Sequence, residues 1–252
     1  MLAIALVVVL VVYLCAKAVG VARGPKVPAR SLVLFLTIWP GVRTDPFATR
    51  RPDPVARRLL EHGALICCSG VGGWLLLEHF ADRLSPDLVG WLGIAVVLLT
   101  FHFGLSDVVS GGLRLAGYQV RRLFRDPLAS RSLREFWSSR WNAAFVEMNQ
   151  VVFLPLLSRH CGRWANQVAF LLSGLLHELA ISLPVWTGFG RPTAYFTLHA
   201  LAITAEGPLR VRRWPAWLAR LWTWSLVLIP LPLLFHRAFR DALVLPLFGV
   251  AR

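Results

Sequence analysis

The strongest constraint on this chain is a series of apolar runs long enough to cross a lipid bilayer as helices, which takes about 20 residues each. Of its 252 residues, 56% are hydrophobic and 16% are charged, so a soluble fold would expose large apolar patches. The sequence therefore predicts an all-α, multi-pass transmembrane bundle, in the cytoplasmic membrane of a bacterium or the endoplasmic reticulum of a eukaryote. The predicted spans cover residues 1–17, 60–80, 87–106, 164–186, 193–209 and 214–236.

Two further apolar stretches extend the prediction to about six to eight membrane segments. Residues 31–42 are short and run into Pro40, and residues 143–158 contain Glu147 and Pro155. We interpret both stretches as interfacial or re-entrant, because a polar group without a hydrogen-bond partner in lipid is costly.

Positive charge is distributed unevenly over the predicted loops. If residues 17–59, 107–163 and 210–220 lie on one side of the membrane, that side holds 22 of the 27 Lys and Arg residues. This bias follows the positive-inside rule, so we expect segment 121–163 to be cytoplasmic or interfacial. Loop arginines that contact anionic headgroups then explain the net charge of +14, and membrane lipids rather than nucleic acid are the expected partners.

Segment 121–163 contains the start of a helix. Ser132 and Glu135 have the spacing of a capping box, which predicts an amphipathic interfacial helix over about 133–157. Aromatic side chains cover much of its surface, as is typical of anchoring at a membrane interface. Four polar residues fall on one face of this predicted helix, at steps of three, four and seven: Glu135, Ser138, Asn142 and Asn149.

Span 164–186 carries two ionisable residues, His177 and Glu178, near the middle of the bilayer. A charged group there costs about 2.5–3.5 kcal/mol, so such residues tend to face a cavity and to have a function. Ser173 and Gly174 lie on the helix face of His177 and leave room either for a substrate chain or for close helix packing. Glu178 points about 100° away, which favours a supporting, packing or ion-pair role.

The residues alone leave several functions open. His177 and Glu178 could begin an HExxH zinc site, but the second histidine is replaced by Ile181, and the four cysteines form no CxxC pair. We therefore expect no metal and no bound cofactor. One alternative is a transporter or channel in which His177 and Glu178 relay protons. Another is a catalytically silent scaffold.

Short motifs carry a resemblance to a known family. The most specific are FWSSRWN, which ends at Asn142, and SGLLHE, which contains His177, 35 residues further on. In kind, order and separation they resemble the wax-synthase-like branch of the membrane-bound O-acyltransferase (MBOAT) family. The resemblance covers most of the chain from LFLTIWPG (34–41) onward, through HFG (102–104), DPLASRSLREFWSSRWN (126–142), FLLSGLLHELAISLP (170–184), YF (195–196) and LPLLFH (231–236).

The resemblance implies a lipid-metabolism transferase that moves a fatty acyl group from acyl-CoA, its co-substrate, to the hydroxyl of a lipid acceptor. It also implies one acyltransferase-like domain over 1–252, with His177 as the catalytic residue and Asn142 as the second functional residue. A buried neutral imidazole can accept the hydroxyl proton, and the Asn142 amide can donate to the thioester oxygen as charge develops there. The chain is shorter than many family members, so its reaction chamber is either minimal or completed by a partner.

Further substrate contacts are expected around these two residues. The basic segment 121–140 can hold the phosphates of coenzyme A, since arginine is a fork-shaped donor. The acceptor remains open among a long-chain alcohol, which the resemblance favours, diacylglycerol, a sterol and a sugar hydroxyl, and the oligomeric state is open too. The candidate substrate-binding residues are Arg140, Trp141, Ser173, Gly174, Glu178 and His102.

Overall fold

A computed structural model describes residues 2–250, apart from the side chains of residues 2, 4 and 5, and every regular element in this range is helical. The prediction of an all-α, multi-pass membrane protein is confirmed. Five stretches within the described range are long and apolar enough to cross a membrane: Leu6–Arg23, Ala56–Arg83, Pro86–Leu115, Ala143–Val185 and Ala216–Leu234.

Several α-helices are short and are followed directly by a π-helical segment. They are α1 (Leu2–Arg23), α2 (Ala29–Thr37), α3 (Ala56–Phe80), α4 (Pro86–Val97), α5 (Ser106–Leu115), α6 (Leu133–Glu135), α7 (Ala143–Met148), α8 (Leu154–Cys161), α9 (Ala165–His177), α10 (Arg191–Glu206), α11 (Ala216–Leu228), α12 (Leu231–Leu234) and α13 (Arg237–Phe239). The π-helical segments are Leu98–Leu105, Phe136–Arg140, Asn149–Phe153, Glu178–Ser182 and Arg240–Val244. The predicted span 193–209 corresponds to α10, which is 16 residues long.

The chain divides into two compact units. The first comprises Met1–Ala16 and Arg125–Phe239, and the second comprises Lys17–Phe124 and Arg240–Arg252. The first unit therefore contains both Asn142 and His177.

Close helix packing in the second unit depends on glycine. A methyl group at Gly63 would lie 2.5 Å from the backbone nitrogen of Val108, and one at Gly111 would lie 2.6 Å from that of Leu60. Because glycine has no Cβ atom at either position, α3 and α5 can approach each other backbone to backbone.

Lys17 is buried in the second unit, although its place at the end of the predicted first span suggested a loop charge. α1 continues beyond it, and its ammonium group donates to the carbonyl oxygens of Phe35, Trp39 and Gly41, each at 2.6 Å. These carbonyls lie near or just beyond the C-terminal end of α2, where helical partners are missing and a positive charge is favourable. Lys17 thus stabilises the end of α2.

In the first unit, the helix predicted over 133–157 is interrupted at Asn142. The preceding π turn ends where the backbone N–H of Arg125 donates to the Arg140 carbonyl at 2.9 Å and its guanidinium donates to the Ser139 carbonyl at 2.8 Å. Asn142 then adopts a left-handed backbone conformation with φ 46°, which asparagine tolerates better than most residues. The four polar residues predicted to share one face are therefore divided between two helices.

The chain reverses direction at Gly162, whose φ is 51°, so that α7 and α8 run antiparallel to α9. This hairpin brings Phe145 beside His177, with ring centroids 6.3 Å apart. The stretch 143–158, predicted to be interfacial or re-entrant, thus forms the arm of the hairpin that faces the helix carrying His177.

Candidate active site

His177 is the last residue of α9 and has a defined protonation pattern. Its Nδ1 lies 2.7 Å from the carbonyl oxygen of Ser173. Because a carbonyl oxygen only accepts hydrogen bonds, Nδ1 carries the proton, and the lone pair of the neutral ring is on Nε2. The ring packs against Phe196 at a centroid distance of 4.4 Å. The imidazole is therefore held in one orientation, with Nε2 as its basic nitrogen.

Asn142 is the N-cap of α7. Its Oδ1 accepts a hydrogen bond from the backbone N–H of Phe145 at 3.1 Å, which satisfies one of the free donors at the helix start. This bond assigns the oxygen of the amide to the cap and leaves the NH2 group as a donor. Asn142 and His177 are linked through Phe145, whose backbone binds the first and whose ring contacts the second.

A cavity of about 220 Å³ lies within the first unit, between the hairpin arms, α6 and α10. Its wall includes Phe145 from one arm and Ser173 from the other, together with Phe196 from α10. Neither His177 nor Asn142 is among the residues that line this cavity. His177 follows Ser173 by four residues and is rotated from it by only about 40°, so it lies on the same side of α9, one turn further along. The cavity therefore runs along α9 toward the imidazole.

Ser173 and Gly174 have different roles next to His177. Ser173 lines the cavity, donates through Oγ to the Ala169 carbonyl at 2.9 Å, and accepts the Nδ1–H hydrogen bond of His177 with its own carbonyl oxygen. A methyl group at Gly174 would lie 2.8 Å from the Cα atom of Thr193, so this glycine permits the close approach of α9 and α10. Of the two uses predicted for these small residues, Gly174 serves close packing.

Arg140 and Trp141 hold the turn that precedes Asn142. Arg140 forms a 2.6 Å ion pair with Glu135 and donates to the carbonyl oxygens of Arg125 and Asp126, each at 3.2 Å. The Trp141 ring stacks on Phe136, with centroids 5.2 Å apart and an interplanar angle of 18°. Both side chains are thus engaged in fixing the backbone around the candidate residue.

His102 belongs to the second unit and lies in the π-helical segment Leu98–Leu105. Its ring packs edge-on against Phe124 at 5.6 Å, and its carbonyl accepts a hydrogen bond from Ser106 Oγ. These contacts give His102 a packing role within that unit, and its substrate contact stays a prediction.

Glu178 caps α10 from a distance. Its Oε1 accepts hydrogen bonds from the backbone N–H of Gly190 at 2.9 Å, the backbone N–H of Thr193 at 3.0 Å and the Thr193 hydroxyl at 2.9 Å. Gly190 is the N-cap residue and has no side chain to perform this task, so the carboxylate replaces it and complements the helix dipole. Glu178 thus supports the start of α10 through these hydrogen bonds.

We expect Glu178→Ala to destabilise the first unit, because three backbone and hydroxyl donors lose a charged acceptor. Hydrogen bonds to charged groups contribute about 1.5–3 kcal/mol each, so the loss should lower the melting temperature in detergent by several degrees. Glu178→Gln retains an acceptor oxygen and should lose less. Thermal unfolding followed by circular dichroism checks both variants, and an alanine variant that melts with the wild type contradicts this role.

Two residues that the sequence did not single out as site residues support the candidate site. Glu206 accepts hydrogen bonds from the backbone N–H groups of Leu133 at 2.5 Å and Arg134 at 3.1 Å, and it thereby attaches the start of α6 to α10. Trp137 lines the cavity, and its ring packs against those of Phe196 and Phe170 with centroid distances of 5.6 Å and 6.1 Å. The supporting roles of Glu206 and Trp137 depend on contacts between residues that are 33 to 73 positions apart in the chain, and no local sequence pattern reveals such contacts.

Residues 120–198 match the family described as Membrane bound O-acyl transferase. This segment contains the hairpin formed by α7, α8 and α9, the cavity-lining residues as far as Phe196, and both candidate catalytic side chains.

Curated plant proteins are similar over a longer stretch. A probable long-chain-alcohol O-fatty-acyltransferase 2 of Arabidopsis thaliana is 32% identical over 160 residues, which is 55% of this chain and 45% of the relative. A probable long-chain-alcohol O-fatty-acyltransferase 1 of the same plant is 30% identical over 69% of this chain and 54% of the relative. The long-chain-alcohol O-fatty-acyltransferase of Simmondsia chinensis is 28% identical over 46% and 40%, respectively.

The chain spans about half the length of the curated relatives it matches. The segment 120–198 that matches the family contains the motifs around Asn142 and His177, which the fold brings to the two sides of one helical hairpin. These comparisons confirm the resemblance of the chain to the wax-synthase-like branch of the membrane-bound O-acyltransferase family.

Proposed function

We propose that this chain is an acyl-CoA-dependent O-acyltransferase that moves a fatty acyl group to the hydroxyl of a lipid alcohol. The observation that carries the proposal is the single fixed tautomer of His177, which leaves Nε2 as the basic nitrogen of a residue one helical turn from Ser173 in the cavity wall. The relatives are named long-chain-alcohol O-fatty-acyltransferases, which favours this reaction and this acceptor class.

In the proposed reaction, His177 Nε2 accepts the proton of the acceptor hydroxyl as its oxygen attacks the thioester carbonyl carbon. A carbon–oxygen bond forms, the carbon–sulfur bond breaks, and the coenzyme A sulfur leaves with the proton returned by the imidazolium. General-base assistance of this kind contributes about 10²–10⁴ in rate. The NH2 group of Asn142 donates to the carbonyl oxygen while it carries negative charge.

Arg134 is the arginine that best fits the phosphates of coenzyme A. It lines the cavity and is exposed, and its guanidinium forms no hydrogen bond or ion pair within residues 2–250. Arg140, by contrast, already binds Glu135 and two carbonyl oxygens. The phosphate contact expected from segment 121–140 is therefore proposed for Arg134.

We expect Arg134→Ala to raise the KM for acyl-CoA about tenfold or more with little change in kcat, because a charge-assisted hydrogen bond contributes about 1.5–3 kcal/mol. Steady-state kinetics with palmitoyl-CoA check this. Arg159→Ala is the matched control, since Arg159 is an exposed arginine of the same unit and does not line the cavity. An unchanged KM in the Arg134 variant contradicts the assignment.

The proposed function is tested directly with membranes that contain the wild-type protein, labelled palmitoyl-CoA and 1-hexadecanol. We expect labelled wax ester to form, and parallel reactions with diacylglycerol and a sterol rank the acceptors. Absence of ester with every acceptor, in protein that is folded by circular dichroism, contradicts the proposal.

A further inference from the structure

Two buried polar atoms on the cavity side chains lack partners. They are the Oδ1 atom of Asn149 and the Nε1 atom of Trp137, neither of which has a hydrogen-bond partner within the described part of the chain. Both side chains line the cavity. Native proteins satisfy nearly all buried polar groups, so an acceptor and a donor left open at one cavity indicate a ligand that supplies one of each.

The cavity has two chemically different ends. At one end, Phe196 and Ser173 adjoin His177. At the other end is Ile203, seven residues further along α10, which corresponds to about 10 Å of helix. Arg134 also lies at this second end, since its backbone binds Glu206 of the same helix.

Asn149 lies between these ends. It follows Phe145 by four residues and so shares its helix face, about one turn further from the imidazole. It also begins the π-helical segment Asn149–Phe153, and such π turns occur frequently at functional sites. The position of the open acceptor is therefore one turn beyond the place where the reacting thioester is proposed to lie.

We propose that Asn149 and Trp137 form a subsite for an amide of the pantetheine arm of acyl-CoA. The amide N–H donates to Asn149 Oδ1, and the amide carbonyl accepts from Trp137 Nε1–H. This subsite rests on the proposed function, because it assumes an acyl-CoA whose thioester lies beside His177 and whose phosphates lie beside Arg134.

The match is one of chemical type as well as position. A secondary amide carries one donor and one acceptor, which is the complement of the open pair. The thioester and the acyl chain carry no donor, and phosphates at neutral pH mainly accept. In the pantetheine arm, two carbons separate the sulfur from the first amide nitrogen, which suits a subsite one helical turn from the thioester. Asn149 is thus a positioning residue for the donor.

Short thioesters test the subsite without involving the phosphates. S-octanoyl-N-acetylcysteamine retains the first amide of the arm, whereas S-ethyl octanethioate has the same acyl group and no amide. With 1-dodecanol as acceptor, we expect the wild-type protein to use the amide-bearing donor with a kcat/KM about tenfold higher, the value of one well-placed hydrogen bond. Asn149→Leu should lose this preference, because its kcat/KM falls for the amide-bearing donor.

Gln167→Leu is the matched control, because Gln167 also has a buried amide oxygen without a partner in residues 2–250 but does not line the cavity. It should keep the wild-type preference, and Asn149→Asp, which retains acceptor oxygens, should restore part of it. A preference that survives in Asn149→Leu, or an equal loss with both thioesters, overturns the subsite. Wild-type protein that transfers from palmitoyl-CoA but shows no preference overturns the subsite alone, whereas failure to transfer from palmitoyl-CoA contradicts the proposed function itself.

Discussion

His177→Ala is expected to reduce acyl transfer at least a hundredfold. The variant removes Nε2, the nitrogen left basic by the hydrogen bond of Nδ1 to Ser173, and general-base assistance contributes about 10²–10⁴ in rate. Initial rates with labelled palmitoyl-CoA and 1-hexadecanol, in membranes normalised for protein content, measure the loss.

Two controls separate this chemical effect from damage to the fold. His160→Ala changes an exposed histidine of the same unit and should keep the wild-type rate. His177→Ala also removes the hydrogen bond to the Ser173 carbonyl and the contact with Phe196, so its melting temperature in detergent must be measured beside its activity. A folded His177→Ala protein with the wild-type rate would refute the proposed role.

Asn142→Asp is expected to lower the rate by about tenfold or more, but by less than the loss in His177→Ala, because one hydrogen-bond donor to a developing oxyanion contributes up to about 10²–10³. The aspartate retains an oxygen that can accept from the Phe145 backbone, and it tolerates the left-handed backbone at φ 46°. It lacks the NH2 donor. The variant thus removes the proposed chemistry and leaves the cap in place.

Two further substitutions at position 142 make the result decisive. Asn142→Gly also removes the donor, yet glycine adopts positive φ freely and is a reasonable N-cap, so it should lose activity with only a small loss of stability. Asn142→Ala should additionally melt at a lower temperature, since alanine neither caps the helix nor favours positive φ. Wild-type rates in the Asp and Gly variants would show that Asn142 only shapes the backbone.

Particular residues show how far sequence reasoning reaches in this chain. His177 was identified because an ionisable group inside an apolar run is costly, an argument that needs no fold. Asn142 is identified through its motif, but the sequence predicts one continuous helix that includes this residue. The structure breaks the helix there, because Arg125, from outside the helical pattern, binds the carbonyl oxygens that end the first segment.

Arg140, Arg134 and Glu178 show what local patterns do not contain. Arg140 belongs to the FWSSRWN motif and is one of the expected substrate contacts, but its guanidinium is occupied by Glu135. The sequence does not distinguish Arg134 from the other arginines of segment 121–140, and only the packing of α6 on α10 places it at the cavity. Glu178 caps α10, which begins 13 residues later and whose N-cap residue, Gly190, has no side chain to accept a hydrogen bond.

The sequence by itself determined the all-α membrane class, the approximate spans and the intramembrane histidine, because these depend on hydrophobicity summed over about 20 neighbouring residues and on the cost of one polar group in lipid. Tertiary structure alone decided which nitrogen of His177 is basic, how Asn142 is oriented and which arginine and amide line the cavity. These properties depend on hydrogen bonds and contacts between helices, and the hairpin at Gly162 brings such residues together from positions that are distant in the chain.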